Sequence, residues 1–419
     1  MLKNLFNLLF FLFSISIFAQ GESLLKYLES DFYQSQFTGL YLYDPLEKKE
    51  LFNYNGNKYF TPASNTKIFT LYAAMKTISD SIPAFKYAIN GDDLHIEGTG
   101  DPTFLHPKFK NPKVLSFLKN NGKKIILHWD HVNQDAYAPG WTWDDFRKDY
   151  SPERSQFPIH ENSVNITKYG NTINAFPTYF KEFVKMKETP EPRELYANIF
   201  YVKARANQQK VPFIITEDVI KGILTELTNK PVEIKNTPIP SSYNQFYSYP
   251  TDKIYKEMME QSDNFLAEHL LLVTSSALNL KFNTSKTIDV ITQKYFKNLQ
   301  QKPIWIDGSG LSRYNLFTPQ NLVQVLEKLY NEFPEERLFS IFPVGGKTGT
   351  IKNRYRDTSS PYIYAKTGSL SNTITLSGYI KTKGGKTIIF SLMNNNFTKD
   401  PSLIRNENEK LIKLIRDLY

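Results

Sequence analysis

The stretch that decides the fold is Thr61–Ile78, TPASNTKIFTLYAAMKTI. Its apolar side chains recur with helical spacing at Ile68, Leu71, Ala74 and Met75. Pro62 and Ser64 come just before them, where a helix is expected to begin. The stretch therefore predicts a helix that carries Ser64 and Lys67 in its first turn.

Ser64 and Lys67 form the pattern S-x-x-K. A serine hydroxyl is a poor nucleophile until a base removes its proton. Because residues at i and i+3 lie on one helix face, the Lys67 amine can reach the Ser64 oxygen, and the N–H groups of the helix N-terminus favour developing negative charge. The pattern is weak alone, since it recurs at Ser116–Lys119. We interpret that copy as incidental, because no helix-start signal precedes it and its two central residues have core character.

A second motif, Ser262-Asp263-Asn264, lies inside a long amphipathic stretch that runs from Asp252 to Leu278. Its hydroxyl can relay a proton, and its amide can hold a lysine and a substrate carbonyl. By itself the triplet is better explained as a helix interruption or an exposed polar turn.

A third motif, Lys366-Thr367-Gly368, follows the strand-like sequence YIYA. A strand can offer backbone N–H and C=O groups to an extended peptide, and a glycine lets that peptide approach closely. Lysine and threonine can bind a carboxylate. A second K-T-G at Lys347–Gly349 follows Gly-Gly rather than a strand, so we interpret it as a turn.

Each motif is common alone, but S-x-x-K, S-D-N and K-T-G occur here in the order typical of penicillin-binding proteins and class A β-lactamases. The combination predicts an enzyme that forms a covalent acyl intermediate on serine. Other hydrolase chemistries lack support, because the sequence has no G-x-S-x-G, no H-E-x-x-H and no indication of a Ser-His-Asp triad.

Composition narrows the class of protein further. The 419 residues are 41% hydrophobic and 22% charged, which suits two or three folded domains rather than a disordered chain. The absence of cysteine excludes disulfides, thiolate nucleophiles and Cys-ligated metals. We expect no cofactor and no metal. The net charge of +9 is most simply a solvated basic surface, compatible with peripheral contact with an anionic membrane or wall. No nucleic-acid motif appears, so we expect no nucleic-acid partner.

The N-terminus has the pattern of a secretory signal peptide. Lys3 precedes an apolar run from Leu5 to Phe18, and Ala19 follows. The run is shorter than the ~20 residues that span a bilayer. We predict a signal peptide over residues 1–19 and an exported protein, periplasmic or associated with the cell envelope.

The rest of the chain falls into three regions that differ in their sequence patterns. Strand-like and helical patterns dominate residues 20–84 and 243–419, and three strand candidates, YIYAKTG, TITLSGYIKT and KTIIFSLMN, fall near the end. Short strand-like runs with Pro-, Asn- and Gly-rich connections fill residues 85–242. We predict a discontinuous α+β domain from the two outer segments, with one or more β-rich domains inserted between them.

With these motifs the sequence resembles the D-alanyl-D-alanine carboxypeptidase/endopeptidase family of class C low-molecular-mass penicillin-binding proteins (penicillin-binding protein 4 type, peptidase family S13). Further similar segments are GTGDPTF at Gly98, GWTWDDFRKDY at Gly140, DGSGLSRYN at Asp307 and AKTGSLSNTITLSGYI at Ala365. The resemblance covers most of the mature chain. It implies a β-lactamase/transpeptidase-like domain, an antiparallel sheet flanked by helices, with inserts between the S-x-x-K helix and the S-D-N motif.

The three motifs lead to a mechanistic hypothesis. Ser64 attacks the peptide bond between two D-alanines of a peptidoglycan stem peptide, and Lys67 takes its proton. Ser262 passes a proton to the leaving amine, and Asn264 orients Lys67 and the substrate. A β-lactam is trapped at the covalent stage.

The remaining site residues bind the substrate. Backbone N–H groups of Ser64 and Ser369 form the oxyanion hole, Lys366 and Thr367 hold the terminal carboxylate, and Gly368 permits close approach.

The resemblance further implies a pocket for the zwitterionic end of a diamino-acid side chain. In that pocket Asp145 faces the ammonium group, Arg313 faces the carboxylate and Tyr150 forms a wall. An ordinary surface pair of Asp145 and Arg313 beside a packed tyrosine is the alternative.

Two other functions stay open from the sequence. One is a non-catalytic cell-wall binding or regulatory protein, against which the intact motifs argue. The other is a β-lactamase, against which the long insert argues. The expected partners are peptidoglycan stem peptides and β-lactams, and the sequence does not indicate an oligomeric state.

Overall fold

The computed structural model describes residues 20–129, 135–170, 172–187, 189–202, 207–357 and 360–419. The predicted signal peptide, residues 1–19, lies outside the described residues. Among the helices that are described, none combines the length and the apolar character needed to cross a membrane.

Strands and helices alternate irregularly along the chain. The described strands are β1 (Phe37–Asp44), β2 (Lys49–Tyr54), β3 (Ser81–Asn90), β4 (Asp93–Gly98), β5 (Lys124–His128), β6 (Ser163–Tyr169), β7 (Thr172–Phe176), β8 (Val184–Met186), β9 (Phe200–Val202), β10 (Gln208–Pro212), β11 (Val232–Lys235), β12 (Asn244–Pro250), β13 (Ile363–Leu370), β14 (Thr373–Lys381) and β15 (Thr387–Asn395). The described helices are α1 (20–28), α2 (Asp31–Gln34), α3 (Lys67–Thr77), α4 (Lys113–Asn120), α5 (Glu217–Thr228), α6 (Thr251–Gln261), α7 (Asn264–Ala277), α8 (Thr284–Tyr295), α9 (Pro319–Glu332), α10 (Glu335–Ile341) and α11 (Pro401–Leu418).

The main sheet joins the two ends of the chain. Its strand order is β13-β14-β15-β1-β2, and all neighbours are antiparallel. The early strand β1 pairs with the late strand β15, with Tyr41 opposite Ser391. The hairpin before Thr61 and the three strands near the C-terminus are thereby confirmed, and β13 forms one edge of the sheet.

Helices cover both faces of this sheet, which is why its central strands are buried along almost their whole length. Every residue of β15 is buried, as is all of β14 except its last residue. On one face Tyr379, Ile389 and Met393 pack against α3, α7 and α9. On the other, Phe390 and Leu392 pack against α1 and α11. Removing each such side chain from water contributes about 1.5–3 kcal/mol, so the sheet is a rigid support for the residues on its edge.

The middle of the chain forms a second core around a different sheet. Its strand order is β11-β5-β4-β3-β12. β4, β5 and β11 are parallel, as expected for strands that helical connections join, and α4 and α5 supply those helices. A three-stranded sheet, β10-β6-β7, and the pair β8-β9 complete this region.

The insert is thus rich in strands but not purely β. Ser116–Lys119, for which we expected no helix, lies in α4, where Leu118 is buried and Ser116 is exposed. Val114 and Leu118 bury one face of a helix that is only two turns long, too short to give a helical pattern in the sequence. The second sheet takes in β3 and β12, which pair with each other; domain limits at residues 84 and 242 stay a prediction. The α+β fold class is confirmed.

Candidate active site

Ser64 lies in a 3-10 turn, Ala63–Thr66, that leads directly into α3. The Thr66 hydroxyl donates to the carbonyl oxygen of Ala63 at 2.9 Å, which closes the turn. The Asn65 amide donates to Ser377 Oγ at 2.7 Å and fastens the turn to β14. Ser64 is half-buried, and these two hydrogen bonds fix the turn that carries it.

Lys67 makes three contacts from a position with no exposed surface. Its Nζ lies 3.0 Å from Ser64 Oγ, and it donates to Asn264 Oδ1 and to the carbonyl oxygen of Ser309, each at 2.7 Å. The predicted helical spacing of Ser64 and Lys67 thus brings their functional atoms into hydrogen-bond distance.

Burial sets the charge state of this amine. Loss of water lowers the pKa of Lys67 from 10.5 to about 8, although the carboxylates of Asp307, Asp263 and Glu268 act in the opposite direction. A substantial fraction of the amine is therefore neutral at mildly alkaline pH.

The S-D-N motif lies at a break between two helices. Ser262 has a left-handed backbone (φ 59°, ψ 37°) and ends α6, and Asp263 caps α7 by accepting the N–H of Leu266 at 2.9 Å. Asn264, at the start of α7, donates its amide to the carbonyl oxygen of Tyr150 at 3.0 Å, so its oxygen faces Lys67. The motif is both a helix interruption and a part of the site.

Lys366 projects from the edge strand β13 and is also fully buried. Its Nζ donates to Ser262 Oγ and to the carbonyl oxygen of Thr367, each at 2.7 Å. Burial, with the nearby charge of Lys67, holds the pKa of Lys366 well below its usual range. The two lysines therefore each contact one of the two serines.

Two glycines allow backbone segments to close around Ser64. A Cβ on Gly368 would lie 2.7 Å from the carbonyl oxygen of Pro62 and 3.0 Å from the nitrogen of Ser64. A Cβ on Gly310 (φ 83°) would overlap the carbonyl oxygen of Ala63. Strand β13 and the segment around Gly310 thus both touch the turn that carries the serine.

A buried polar network, which the sequence reasoning missed, holds the segment that Lys67 contacts. Glu268 accepts the N–H of Ser309 at 2.7 Å, and Arg154 lies 3.5 Å from the other Glu268 oxygen. Asp307 accepts the N–H groups of Gly310 at 2.8 Å and of Ser312 at 2.7 Å. Burial and the charge of Asp307 raise the pKa of Glu268 to about 7. In the sequence this network could have been suspected from Glu268, a charged residue within the apolar run of α7.

The residues predicted for a diamino-acid pocket lie beside the motifs. Asp145 is buried and accepts hydroxyl groups from Thr142 at 2.7 Å and Tyr150 at 2.6 Å. Within the described residues, Arg313 Nη1 is buried without a hydrogen-bond partner. One cleft of about 370 Å³ is lined by both groups of residues, Ser64, Ser262, Asn264 and Ser369 from the motifs and Asp145, Tyr150 and Arg313 from the pocket.

The second K-T-G is a turn, as predicted, but it lies next to the site. Thr350, the residue that follows it, makes a hydroxyl contact of 2.7 Å with Thr367. Two residues further along β13, Ser369 Oγ accepts from Arg405 of α11 at 3.4 Å. These contacts place Thr367 and Ser369 at the open edge of the sheet.

One group of described residues has ligand atoms close enough to hold a metal: His106, Glu161 and Asp263, all within 4.8 Å of one another. Glu161 already pairs with His106 at 3.0 Å and with Lys210 at 3.2 Å. Since His106 and the ammonium group of Lys210 both contact this carboxylate, we assign the group to the packing of the insert against the S-D-N turn.

Known proteins resemble this chain in sequence and in fold. The chain is 24% identical over 424 residues to D-alanyl-D-alanine carboxypeptidase DacB of Haemophilus influenzae, covering 88% of this chain and 87% of that protein. The crystal structure of penicillin-binding protein 4 from H. influenzae matches with a TM-score of 0.75 at 22% identity, covering 94% of this chain and 99% of that one. A penicillin-G-acylated predatory endopeptidase of Bdellovibrio bacteriovorus matches with a TM-score of 0.51 at 17% identity, covering 90% and 92%.

The family model described as the D-Ala-D-Ala carboxypeptidase 3 (S13) family matches residues 21–178 and 224–418. These two segments contain all three motifs and every residue predicted for the site, and the resemblance seen in the sequence is confirmed. The chain belongs to the D-Ala-D-Ala carboxypeptidase 3 (S13) family.

Proposed function

We propose that this protein is a serine DD-peptidase of peptidoglycan that works through an acyl-enzyme on Ser64. It cleaves the bond between the two D-alanines of a stem peptide, or the bond from D-alanine to the diamino acid of a cross-link. The observation that carries the proposal is the set of contacts around Lys67, because they suit an amine that accepts a proton from Ser64.

A neutral amine has two N–H groups and one lone pair. Lys67 faces two obligate acceptors, the oxygens of Asn264 and Ser309, which take both N–H groups. The lone pair then faces Ser64 Oγ, 3.0 Å away, as general-base catalysis requires. Attack of Ser64 on the substrate carbonyl transfers the hydroxyl proton to Lys67 and forms the tetrahedral intermediate.

The developing oxyanion is stabilised by backbone N–H groups of Ser64 and Ser369, since Gly368 lets β13 lie against the serine turn. One such donor is worth about 3 kcal/mol. The proton that Lys67 took from Ser64 then reaches the leaving amine through Ser262, whose hydroxyl gives one proton to the amine and takes up another in its place, so that Lys67 is neutral again. Lys366 holds Ser262 in position by donating to its Oγ. Water then hydrolyses the ester on Ser64, and a β-lactam remains attached because its amine cannot leave.

The surroundings of the cleft fit the two ends of the substrate. Thr367 and Lys366 bind the carboxylate of the leaving D-amino acid. Asp145 and Arg313 bind the ammonium and carboxylate of the diamino side chain, with Tyr150 as the wall, because Arg313 Nη1 is buried and free of other partners among the described residues. Such a pocket makes cross-link cleavage as suitable a reaction as trimming of free stem peptides.

The cellular place of the enzyme follows from its substrate. We propose that residues 1–19 are removed on export and that the mature enzyme acts in the periplasm or at the cell envelope, where its basic surface meets anionic membrane or wall. Mass measurement of the mature N-terminus tests this: an N-terminus near Gln20 is expected, and a retained Met1 contradicts it.

A fluorescent penicillin tests the function. We expect stable labelling of the wild-type protein, and none of Ser64→Ala. Ser116→Ala, which changes the serine of the second S-x-x-K, is the matched control and keeps the label. Rapid turnover of the penicillin would instead indicate a β-lactamase, and a folded wild-type protein without label would indicate a non-catalytic binding protein.

Peptide products released from purified cell-wall sacculi then identify the bond. Free D-alanine indicates carboxypeptidase action, and monomers that arise from cross-linked dimers indicate endopeptidase action.

A further inference from the structure

A second cleft, of about 520 Å³, adjoins the active-site cleft. The segment from Trp143 to Lys148 forms one of its walls, and residues 189–192 of the inserted region form another. Asp144 lines both clefts, so the two lie side by side. Its volume lies within the range that small ligands occupy in proteins.

Trp143 gives this second cleft an exposed aromatic surface. Its side chain is 69% exposed, whereas Trp129 and Trp305 are buried and Trp141 is half-buried. The Trp143 ring lies nearly parallel to that of Phe146, at 21° with 6.2 Å between the centroids. The packing of Trp143 on this neighbour supports the exposed ring. Because the face of an indole ring is electron-rich, it attracts weakly polarised C–H groups.

The polar side chains around Trp143 carry balanced charge. Arg147 pairs with Glu191 at 2.6 Å across the cleft, and Lys148 and Asp144 are exposed on the same wall. These two cationic and two anionic side chains supply hydrogen-bond donors and acceptors, and their charges sum to zero. Such a lining disfavours an anionic polymer and a strongly charged peptide. It suits a neutral molecule that has many hydroxyl and amide groups and one apolar C–H face, which are the features of an N-acetylated sugar.

We propose that this cleft binds sugar residues of the peptidoglycan strand whose stem peptide occupies the active-site cleft. The proposal rests on the proposed function for its substrate class. A stem peptide whose diamino acid lies at Asp145 continues past Asp144 towards its attachment to the glycan, where Trp143 stacks on a sugar ring. The enzyme thereby distinguishes stem peptides that are attached to glycan from free ones.

Two substrates with the same pentapeptide test this proposal, one carrying the disaccharide and one without sugar. We expect the wild-type enzyme to have a higher kcat/KM for the sugar-bearing substrate. In Trp143→Ala the ratio of the two kcat/KM values falls by about two- to tenfold, and Trp143→Phe retains most of it. Tyr169→Ala is the control, because Tyr169 is equally exposed but lines neither cleft, and it leaves the ratio unchanged.

Binding of the peptide-free disaccharide to the whole protein gives a readout that needs no catalysis. Since Trp143 is the most exposed of the four tryptophans, we expect saturable quenching of tryptophan fluorescence that is absent in Trp143→Phe.

Equal kcat/KM values of the wild type for the substrates with and without the disaccharide would overturn this proposal. A ratio of the two values that is unchanged in Trp143→Ala would overturn it as well. An enzyme that penicillin labels at Ser64 and that shows no sugar preference keeps the proposed function and loses this inference. A protein that penicillin does not label loses the proposed function, and the disaccharide titration still decides whether the cleft binds sugar.

Discussion

The amine of Lys67 donates to the carbonyl oxygen of Ser309 at 2.7 Å, across 242 residues of sequence. It is the third contact of this amine, after those with Asn264 and Ser64, and together the three fix its orientation. Ser309 belongs to a segment outside the three motifs. Glu268 holds the N–H of the same Ser309. The orientation of the general base therefore depends on a buried network as well as on the motif residues.

The rate of acylation by penicillin should rise with pH, with a midpoint near 8. Burial lowers the pKa of Lys67 to about 8, and only its neutral form accepts the proton of Ser64, so the rate falls about tenfold per unit of pH well below the midpoint. Stopped-flow labelling across pH 5–10 measures this. Lys67→Arg, whose guanidinium stays charged, should be inactive throughout the range; labelling of that variant contradicts the assignment of the base.

Glu268→Gln should move the acid limb of the same profile to lower pH. The Glu268 carboxylate raises the pKa of Lys67, and glutamine keeps an oxygen for the Ser309 N–H while it removes the charge. A lower Tm is also expected, because Arg154 loses its charged partner. Glu332→Gln is the control, since Glu332 pairs with Lys76 near the far end of α3. An acid limb that stays in place would contradict the effect of the Glu268 charge on the pKa of Lys67.

Gly310→Ala should destabilise the protein by about 3 kcal/mol or more and impair acylation, because its Cβ would overlap the carbonyl oxygen of Ala63. Gly385 has the same φ of 83° with nothing within 4 Å of a built Cβ. Gly385→Ala therefore isolates the backbone cost, about 1–2 kcal/mol. Chemical denaturation measures both variants, and equal losses would exclude the close approach as the cause.

Arg313→Ala should lower kcat/KM about 10- to 100-fold for a stem peptide whose diamino side chain ends in both amine and carboxylate, the range for a lost charge-assisted hydrogen bond. A peptide ending in an amine alone should lose less. Kinetics on the two peptides give the comparison. Arg356→Ala is the matched control, because Arg356 is exposed and lines no part of the cleft. Equal losses on both peptides would contradict a carboxylate-binding role for Arg313.

The sequence predicted the motif residues because each has a strong local context. Ser64 precedes an apolar helix, Ser262 interrupts one, and Lys366 follows an apolar strand, so order and local structure together identify them. The central strands β14 and β15 were also predicted, since both are rich in the β-branched and aromatic residues that favour strands.

The supporting contacts could not be predicted in the same way. Ser309 acts through its backbone, which has no residue preference. Glu268, which accepts its N–H, and Arg154, which pairs with Glu268, come from distant segments. Helix α4 was missed because Val114 and Leu118 alone bury its face, and two apolar positions do not distinguish a helix from a strand. Contacts set by tertiary packing leave little trace in local patterns.

The pairing of β1 with β15 has a consequence for the order of synthesis. The nucleophile Ser64 emerges from the ribosome before the inserted region, whereas Lys366 and the strands that hold the serine turn emerge after it. A nascent or truncated chain that lacks these strands therefore carries Ser64 and Lys67 without Lys366 and without the backbone N–H of Ser369. The site is assembled only after β13, β14 and β15 have been made and β15 has paired with β1, so hydrolysis cannot begin while the inserted region is still being synthesised.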